Sequence, residues 1–353
     1  MFKSVRIKNF RAITNLQVDG LSRVNLFVGH NACGKTTLLE SIFFLVGPAN
    51  PHLLVRVNVS RGLAYVDNLL WPTYFHNMDM DIPIEIAGAD SESGQEQRLL
   101  IRPRYEDYRP DGENPATPMP RGLATTGPQI AGQANGLRLE HEDVIGSESL
   151  TVSEVVIRGD QMVLLGAKHP PVRSAFLIPI AAAGDWQEVF SEVQKRKQVP
   201  EVVDLLREIE PQLTDLRLSG SPGLLYADIG APELIPVNLM GGGITRFLSV
   251  ALAMLTCQNG VVLIDEIENG LHHSAQRQLW DAVFNWARKL NVQVFASTHS
   301  MECIRAFSDA TEAELFSRDG KLLRIERKGD DFRSVEYGPG SLAESLESNW
   351  EVR

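Results

Sequence analysis

Apolar and charged positions alternate through residues 2–9, where Phe2, Val5 and Ile7 interleave with charged side chains, and this period of two predicts a half-buried or edge strand. VNLFVGH (24–30) is a compact apolar strand running into a loop of small residues, and TTLLESIFFLV (36–46) has helical character. DIPIEIAG (81–88) and QRLLIRPRY (97–105) read as strands. From about Glu106 to Asn135 the chain is rich in proline, glycine and polar residues without any period, as in a long flexible loop or functional flap. Strand patterns resume at LRLEHEDV, LTVSEVVIRGD and QMVLLGA. A helical region runs from about Asp185 to Arg217 and is expected to split near Pro200.

The final third reads as strongly α/β. GGGITRFLSVALAMLTC opens with glycines and places Ile244, Phe247, Leu248, Ala251 and Leu255 on one helical face. GVVLIDE and VQVFAST are continuous apolar runs, the pattern of parallel strands buried on both faces. SAQRQLWDAVFNWARKL between them is an amphipathic helix, and MECIRAF is another short one. AELFSR, KLLRIER and FRSVEYG read as short strands before a last helix. No internal repeat is visible, and proline or glycine interrupts every candidate coiled-coil heptad.

At 353 residues and 43 % hydrophobic content the chain can bury a substantial core. A formal charge of −11 argues against binding nucleic acid by overall charge, although a local basic groove is compatible with it. Cys33, Cys257 and Cys303 are widely spaced, neither a disulfide framework nor a zinc site, which suits a reducing compartment. MFKSVRIKNF is no signal peptide, and the apolar runs are too short to span a bilayer. The expectation is a cytoplasmic protein without a membrane partner.

Chemistry enters at residues 29–36, which match G-x-x-x-x-G-K-[ST]. Gly29, His30, Asn31, Ala32, Cys33 and Gly34 curl main-chain N–H groups toward phosphate oxygens. Lys35 adds a charge at the β and γ phosphates, Thr36 offers its hydroxyl to Mg2+, and Thr37 continues into the helix. The helix dipole beginning at Gly34 favours the same anion. Cys33 reads as a tolerated side chain, with a redox-sensitive loop as the other reading. At the tip of VVLIDE, Asp265 is placed to hold magnesium and Glu266 to orient and deprotonate the attacking water. Glu268 is either a carboxylate behind the metal site or a helix-entry acid. One strand later, Thr298 and His299 stand at the same sheet edge, where a histidine can reach the γ-phosphate or the water. His272 and His273 adjoin, and neighbouring side chains on a helix are expected to point apart, which argues against a shared metal.

These residues carry a resemblance. Asp-Glu at one strand tip and Thr-His-Ser at the next resemble the core of ABC-type ATPases, shared by transporter motors, SMC proteins and DNA-repair ATPases. IKNFRAI resembles the start of the SMC-like and OLD branches, and IDEIENGLHHSAQRQLW with VFASTHSMECIRAF resembles the AAA-type ATP/GTPase relatives of OLD. The resemblance covers about 1–88 and 235–310. It implies an α/β fold: a P-loop ABC-ATPase-like core of mixed or parallel sheet, an N-terminal antiparallel β portion and an inserted β/helical region. The corresponding divisions are 1–105, 106–235 and 236–353. It also implies ATP and Mg2+ as ligands, Glu266 and His299 with Lys35 as the catalytic set, and Arg11 near the nucleotide.

In that family a signature segment binds the γ-phosphate of the opposite subunit. Here it reads Leu239-Met240-Gly241-Gly242-Gly243, with Met240 where transporters and SMC proteins carry serine. The glycine N–H groups can still hold an anion, and Arg246 is the candidate to supply the missing contact. A homodimer or higher homo-oligomer follows as an expectation. Full OLD proteins carry a Toprim nuclease with an Asp-x-Asp pair. Too few residues follow Ser300 for that domain, and Asp79 and Asp81 read as a solvated loop, so the expectation is an ATPase acting on a separate effector in defence or DNA processing. The competing readings are a transporter motor, opposed by NFR and the missing serine, and a scaffold held by ATP without turnover. DNA binding has only QKRKQ (194–198) in its favour, which a solvated helix face also explains.

Overall fold

The computed structural model describes residues 1–63, 68–90, 94–105, 117–118, 134–143, 150–158, 161–166, 173–178, 186–220, 224–313 and 315–338. The chain divides into two compact units. The first holds Met1–Leu21, Ala32–Val172 and Ile325–Val335; the second holds Ser22–Asn31, Arg173–Arg324 and Glu336–Arg353. Most of the expected long loop at 106–135, and the expected last helix after residue 338, lie outside the described residues.

The chain opens with β1 (Phe2–Phe10), β2 (Ile13–Val18) and β3 (Val24–Val28), then α1 (Lys35–Val46) and α2 (His52–Ser60). There follow β4 (Ile84–Asp90), β5 (Glu96–Arg104), β6 (Thr117–Pro118), β7 (Gly136–Asp143), β8 (Thr151–Arg158) and β9 (Gln161–Leu165). In the first unit these make an antiparallel sheet in the order β2-β1-β4-β5-β7-β8-β9-β6. Its alternation is the one read from residues 2–9: Val5 and Ile7 are fully buried while Arg6 and Lys8 turn outward. On that outer face Glu85 takes Arg6, Lys8 and Arg98, while Glu140 takes Arg102 and Arg138. Such exposed pairs each add at most about 1 kcal/mol, so their main effect is a face of alternating sign. Helix α1 covers the inner face, close enough that a Cβ at Gly88 would lie 2.5 Å from Leu45 Cδ2.

The second unit adds β10 (Ser174–Leu177), α3 (Trp186–Lys195), α4 (Val199–Leu206), β11 (Asp215–Leu218), β12 (Leu225–Asp228) and β13 (Ile235–Pro236). Next come α5 (Gly242–Thr256), β14 (Val261–Ile264), α6 (His273–Lys289), β15 (Gln293–Ser297) and α7 (Met301–Thr311). The chain then enters β16 (Gly320–Lys328) and β17 (Asp331–Tyr337). The main sheet runs β10-β14-β15-β3-β16-β17, and β10, β14, β15, β3 and β16 are mutually parallel. A small antiparallel sheet, β11-β12-β13, stands beside it in the sequence. Val261–Ile264 and Val24–Val28 are buried throughout, as apolar runs in the middle of a parallel sheet should be. Helix α5 buries Phe247, Leu248, Ala251 and Leu255 as expected, while α6 contributes Trp280, Phe284 and Trp286 to the same core. Each leucine and phenylalanine among them contributes roughly 1.5–3 kcal/mol through removal from water.

Several local expectations are corrected. The helical region does split near Pro200 as expected, but the break itself falls at residues 196–198, where Lys197 takes φ 59°. Pro200 sits in the first turn of α4, where its missing N–H costs no helical bond. Only Gln194 and Lys195 of the basic QKRKQ stretch are therefore helical. AELFSR forms no strand: Leu315–Asp319 is a turn, closed by the N–H of Ser317 on the Ala313 carbonyl and that of Asp319 on the Phe316 carbonyl, with Phe316 buried. Among the described residues, no helix is long and apolar enough to cross a membrane.

Gly260 shows how tightly β14 is entered. A Cβ there would lie 2.1 Å from the Arg173 carbonyl oxygen and 2.8 Å from that of Cys257, both main-chain atoms. Gly260→Ala is expected to destabilise the protein by about 2–3 kcal/mol, and thermal denaturation followed by circular dichroism checks this.

Candidate active site

Parallel strands bring their C-terminal ends to one edge of the sheet, and in the second unit that edge gathers the candidate groups. Ile264 pairs with Ala296, and Ser297 pairs with Phe27. The residues that follow are thus Asp265 after β14, Thr298 and His299 after β15, and Gly29 after β3. Main-chain bonds extend the alignment past the strand ends: the N–H of Thr298 reaches the Phe27 carbonyl at 3.1 Å, and that of Asp265 reaches the Leu177 carbonyl at 2.8 Å.

Asp265 is 8 % exposed. Its Oδ1 accepts a short hydrogen bond from the Ser297 hydroxyl, whose oxygen also accepts from the Glu266 N–H at 3.0 Å. Ser297 therefore orients both acids, a role that sequence reasoning missed; the signal was a polar residue in an otherwise apolar run. Glu266 has φ 47°, a conformation that costs a residue other than glycine about 1–3 kcal/mol. The turn is held by Arg246 of α5, which donates to the carbonyls of Asp265 at 3.3 Å, Glu266 at 3.0 Å and Ile267 at 3.3 Å. Burial lowers the pKa of Arg246, and the carboxylates of Glu268, Asp265 and Glu266 oppose that shift. Its guanidinium thus grips its own chain, whereas sequence reasoning sent it toward an opposite subunit.

The glycines before Arg246 have distinct places. Gly241 precedes α5 with φ 99°, and a Cβ on Gly242 would lie 2.9 Å from the Gly270 carbonyl oxygen. Gly243 is roomier: a Cβ there would meet Leu271 Cδ2 at 3.8 Å, an ordinary contact. His299 Nδ1 stands 3.8 Å from Glu266 Oε1 and 3.7 Å from Glu268 Oε1. His272 and His273 correct the expectation that they diverge: their ring centroids are 4.0 Å apart. His272 is the extended cap of α6 and not a helical residue, so its ring can turn toward its neighbour's. Among the described residues no group of three metal-binding side chains gathers.

Gly29, His30 and Asn31 belong to the second unit, and Ala32 through Thr37 to the first. Gly29 has φ 145°, Ala32 φ 61° and Gly34 φ 96°. Positive angles at Ala32 and Gly34, with Cys33 between them outside that region, are the alternation from which anion-binding concavities are built. At Gly34 a side chain would also crowd Ile13 and Phe332, each with an atom 3.4 Å away. Helix α1 then starts at Lys35, with its first bond from the Leu38 N–H to the Gly34 carbonyl. Lys35 Nζ lies 3.9 Å from Cys33 Sγ; burial raises the pKa of that thiol, and the Lys35 charge opposes the rise. Thr36 is half-buried and Thr37 buried.

Arg11, also in the first unit, has its Nε 3.0 Å from Oε2 of Glu40 on α1, and its guanidinium lies over the rings of Phe10 and Tyr74. Burial lowers its pKa, against the raising field of Glu40. Arg61 reaches the other Glu40 oxygen at 2.5 Å. Glu40 and Arg61 had no motif to announce them.

The AAA ATPase domain family matches residues 1–98 and 179–304. The chain is 22 % identical to an ATP/GTP phosphatase of Helicobacter pylori, with 93 % of each chain covered. It is 26 % identical to an OLD nuclease of Thermus scotoductus, over 95 % of this chain, and spans 63 % of that protein's length. Among solved structures, an SMC head bound to the C-terminal winged-helix domain of ScpA matches over 98 % of this chain and 99 % of the other, with a TM-score of 0.50 and 10 % identity. That likeness concerns the fold, an α/β arrangement of mixed parallel and antiparallel sheets. With its domain spread over more than half of the sequence, the chain belongs to the AAA ATPase domain family and is an ATPase.

Proposed function

We propose that this ATPase is a nucleotide-driven switch: two copies close over ATP, and hydrolysis lets them part and change the state of a separate effector protein. The observation that carries the reading is the shared strand edge of the second unit, from which the phosphate loop departs at Gly29 and where Asp265 follows β14 and His299 lies just past β15. In this reading Gly29 through Thr37 cradle the phosphates and Lys35 meets the β and γ groups. Magnesium favours oxygen ligands, and the groups on offer are of that kind: the Thr36 hydroxyl, the Asp265 carboxylate and the phosphates themselves. When bound, the ion neutralises charge on the transferring phosphoryl group.

Glu266, more exposed than Asp265, accepts a proton as the water oxygen bonds to the γ-phosphorus. The bond from that phosphorus to the β–γ bridging oxygen breaks, leaving ADP and inorganic phosphate. His299 holds the water or the γ-phosphate in line. Gly241 and Gly242, exposed at the start of α5, offer N–H groups to the nucleotide of the opposite copy. The effector in this reading acts in defence or DNA processing, and the likeness to a protein named a nuclease supports the second.

Glu266→Gln is expected to keep ATP binding, lose about a hundredfold in turnover, and accumulate as a dimer in sedimentation velocity with ATP. Wild type should return to its nucleotide-free state as ATP is consumed. A variant that sediments and turns over like wild type would favour the scaffold reading. Absence of hydrolysis by wild type, with ATP or GTP and with or without DNA, would remove the catalytic mechanism.

A further inference from the structure

Glu268 is far more buried than the acid two residues before it: its side chain is 10 % exposed, against 42 % for Glu266 and 52 % for His299. Oε1 accepts a hydrogen bond from the main-chain N–H of His299 at 3.3 Å and lies 3.7 Å from Nδ1 of the same residue. The second distance is electrostatic and too long for a hydrogen bond. Oε2 is buried with no hydrogen-bond partner among the described residues. A carboxylate in that position is costly unless a cation compensates it. Arg246 supplies that charge, since Glu268 is the strongest of the carboxylates acting on its guanidinium. Glu266 Oε1 approaches the same histidine nitrogen.

Two carboxylates therefore face Nδ1, and none of the described contacts places one at Nε2. A nitrogen facing negative charge retains its proton, and the hydrogen-bonding environment of one ring nitrogen determines the role of the other. We propose that Glu268 is a positioning residue for hydrolysis: it anchors the His299 main chain and draws the ring proton to Nδ1, so that Nε2 is presented to the substrate. Arg246 offers Glu268 a countercharge, and Glu266 is left to take the proton from water. The inference rests on the reading of His299 as a group that reaches the terminal phosphate or the attacking water.

The test combines kinetics with a direct view of the ring. Glu268→Gln keeps an oxygen for the His299 N–H but removes the charge. It should lower kcat for ATP about 10–100-fold, the scale known for losing the outer partner of a metal-ligating histidine, with KM within about twofold. Glu268→Asp, which retains the charge, should recover part of the loss. Combining Glu268→Gln with His299→Ala should be no worse than His299→Ala alone, because residues acting through one group are not additive.

In protein labelled with 15N-histidine, the His299 signal, identified by its absence in His299→Ala, should report the Nδ1–H tautomer in wild type and shift toward Nε2–H in Glu268→Gln. An Nε2–H ring in wild type, an unchanged spectrum in the variant, or an unchanged kcat overturns the role of Glu268. If His299→Ala retains full turnover, the reading of His299 falls, and this inference falls with it.

Discussion

Lys35→Ala is expected to reduce ATP turnover by about a hundredfold or more, measured as phosphate release at saturating nucleotide, and to weaken nucleotide binding in equilibrium titration. Lys35 is the first residue of α1, just past the left-handed turn at Gly34. Its ammonium is thus delivered to the place where main-chain N–H groups and the helix dipole already favour an anion. The side chain is half-buried and lies at the helix start, where alanine is well tolerated, so circular dichroism and melting temperature should remain close to wild type. Lys35→Arg should not rescue the activity, because a planar guanidinium cannot stand in for a compact point charge in a loop this tight. Turnover within twofold of wild type would mean that the loop at 29–37 is not the phosphate cradle.

The second large effect concerns stability. Glu40 is 1 % exposed, and its two oxygens face Arg11 and Arg61. Glu40→Ala would leave the buried Arg11 guanidinium beside aromatic rings without its counter-charge, and an arginine does not escape by losing its proton. Removing one partner of a buried pair costs about 3–5 kcal/mol, and a urea unfolding curve should show that loss as a lower midpoint. Arg61→Ala should cost about 1 kcal/mol or less, since that side chain is 38 % exposed and stabilises the acid from its solvent side. Equal midpoints for Glu40→Ala and wild type would show that the cluster does not hold α1 against β1.

The elements that could be read from the chain were those whose burial is uniform. VNLFV, VVLI and QVFAS lie in the middle of a parallel sheet, so mainly apolar runs without alternation marked them. The glycines of the phosphate loop were legible because the main chain needs positive angles at Gly29 and Gly34. Strand β10 was harder to see: Ser174–Leu177 is half-buried along its length at the sheet's margin, and its apolar run, AFLI, stops at Pro179. Helix α2 was hidden by its own composition, because the β-branched valines of HLLVRVNVS favour a strand while packing turns them into a helix. The clasp of Arg246 on three carbonyls could not be anticipated, since main-chain acceptors have no residue type. Arg11 and Glu40 meet only because β1 and α1 pack together, which no local period encodes.

Strand β3 has β15 on one side and β16 on the other. Both neighbours come from the far end of the chain, since β15 starts at Gln293 and β16 at Gly320. During synthesis at about 5–20 residues per second, the strand that launches the phosphate loop waits for roughly 15–60 seconds before either flank exists. An apolar segment left unpaired for that long is exposed to misassociation and is a natural client for a chaperone on the ribosome. The same topology predicts late, all-at-once acquisition of nucleotide binding as the chain is made.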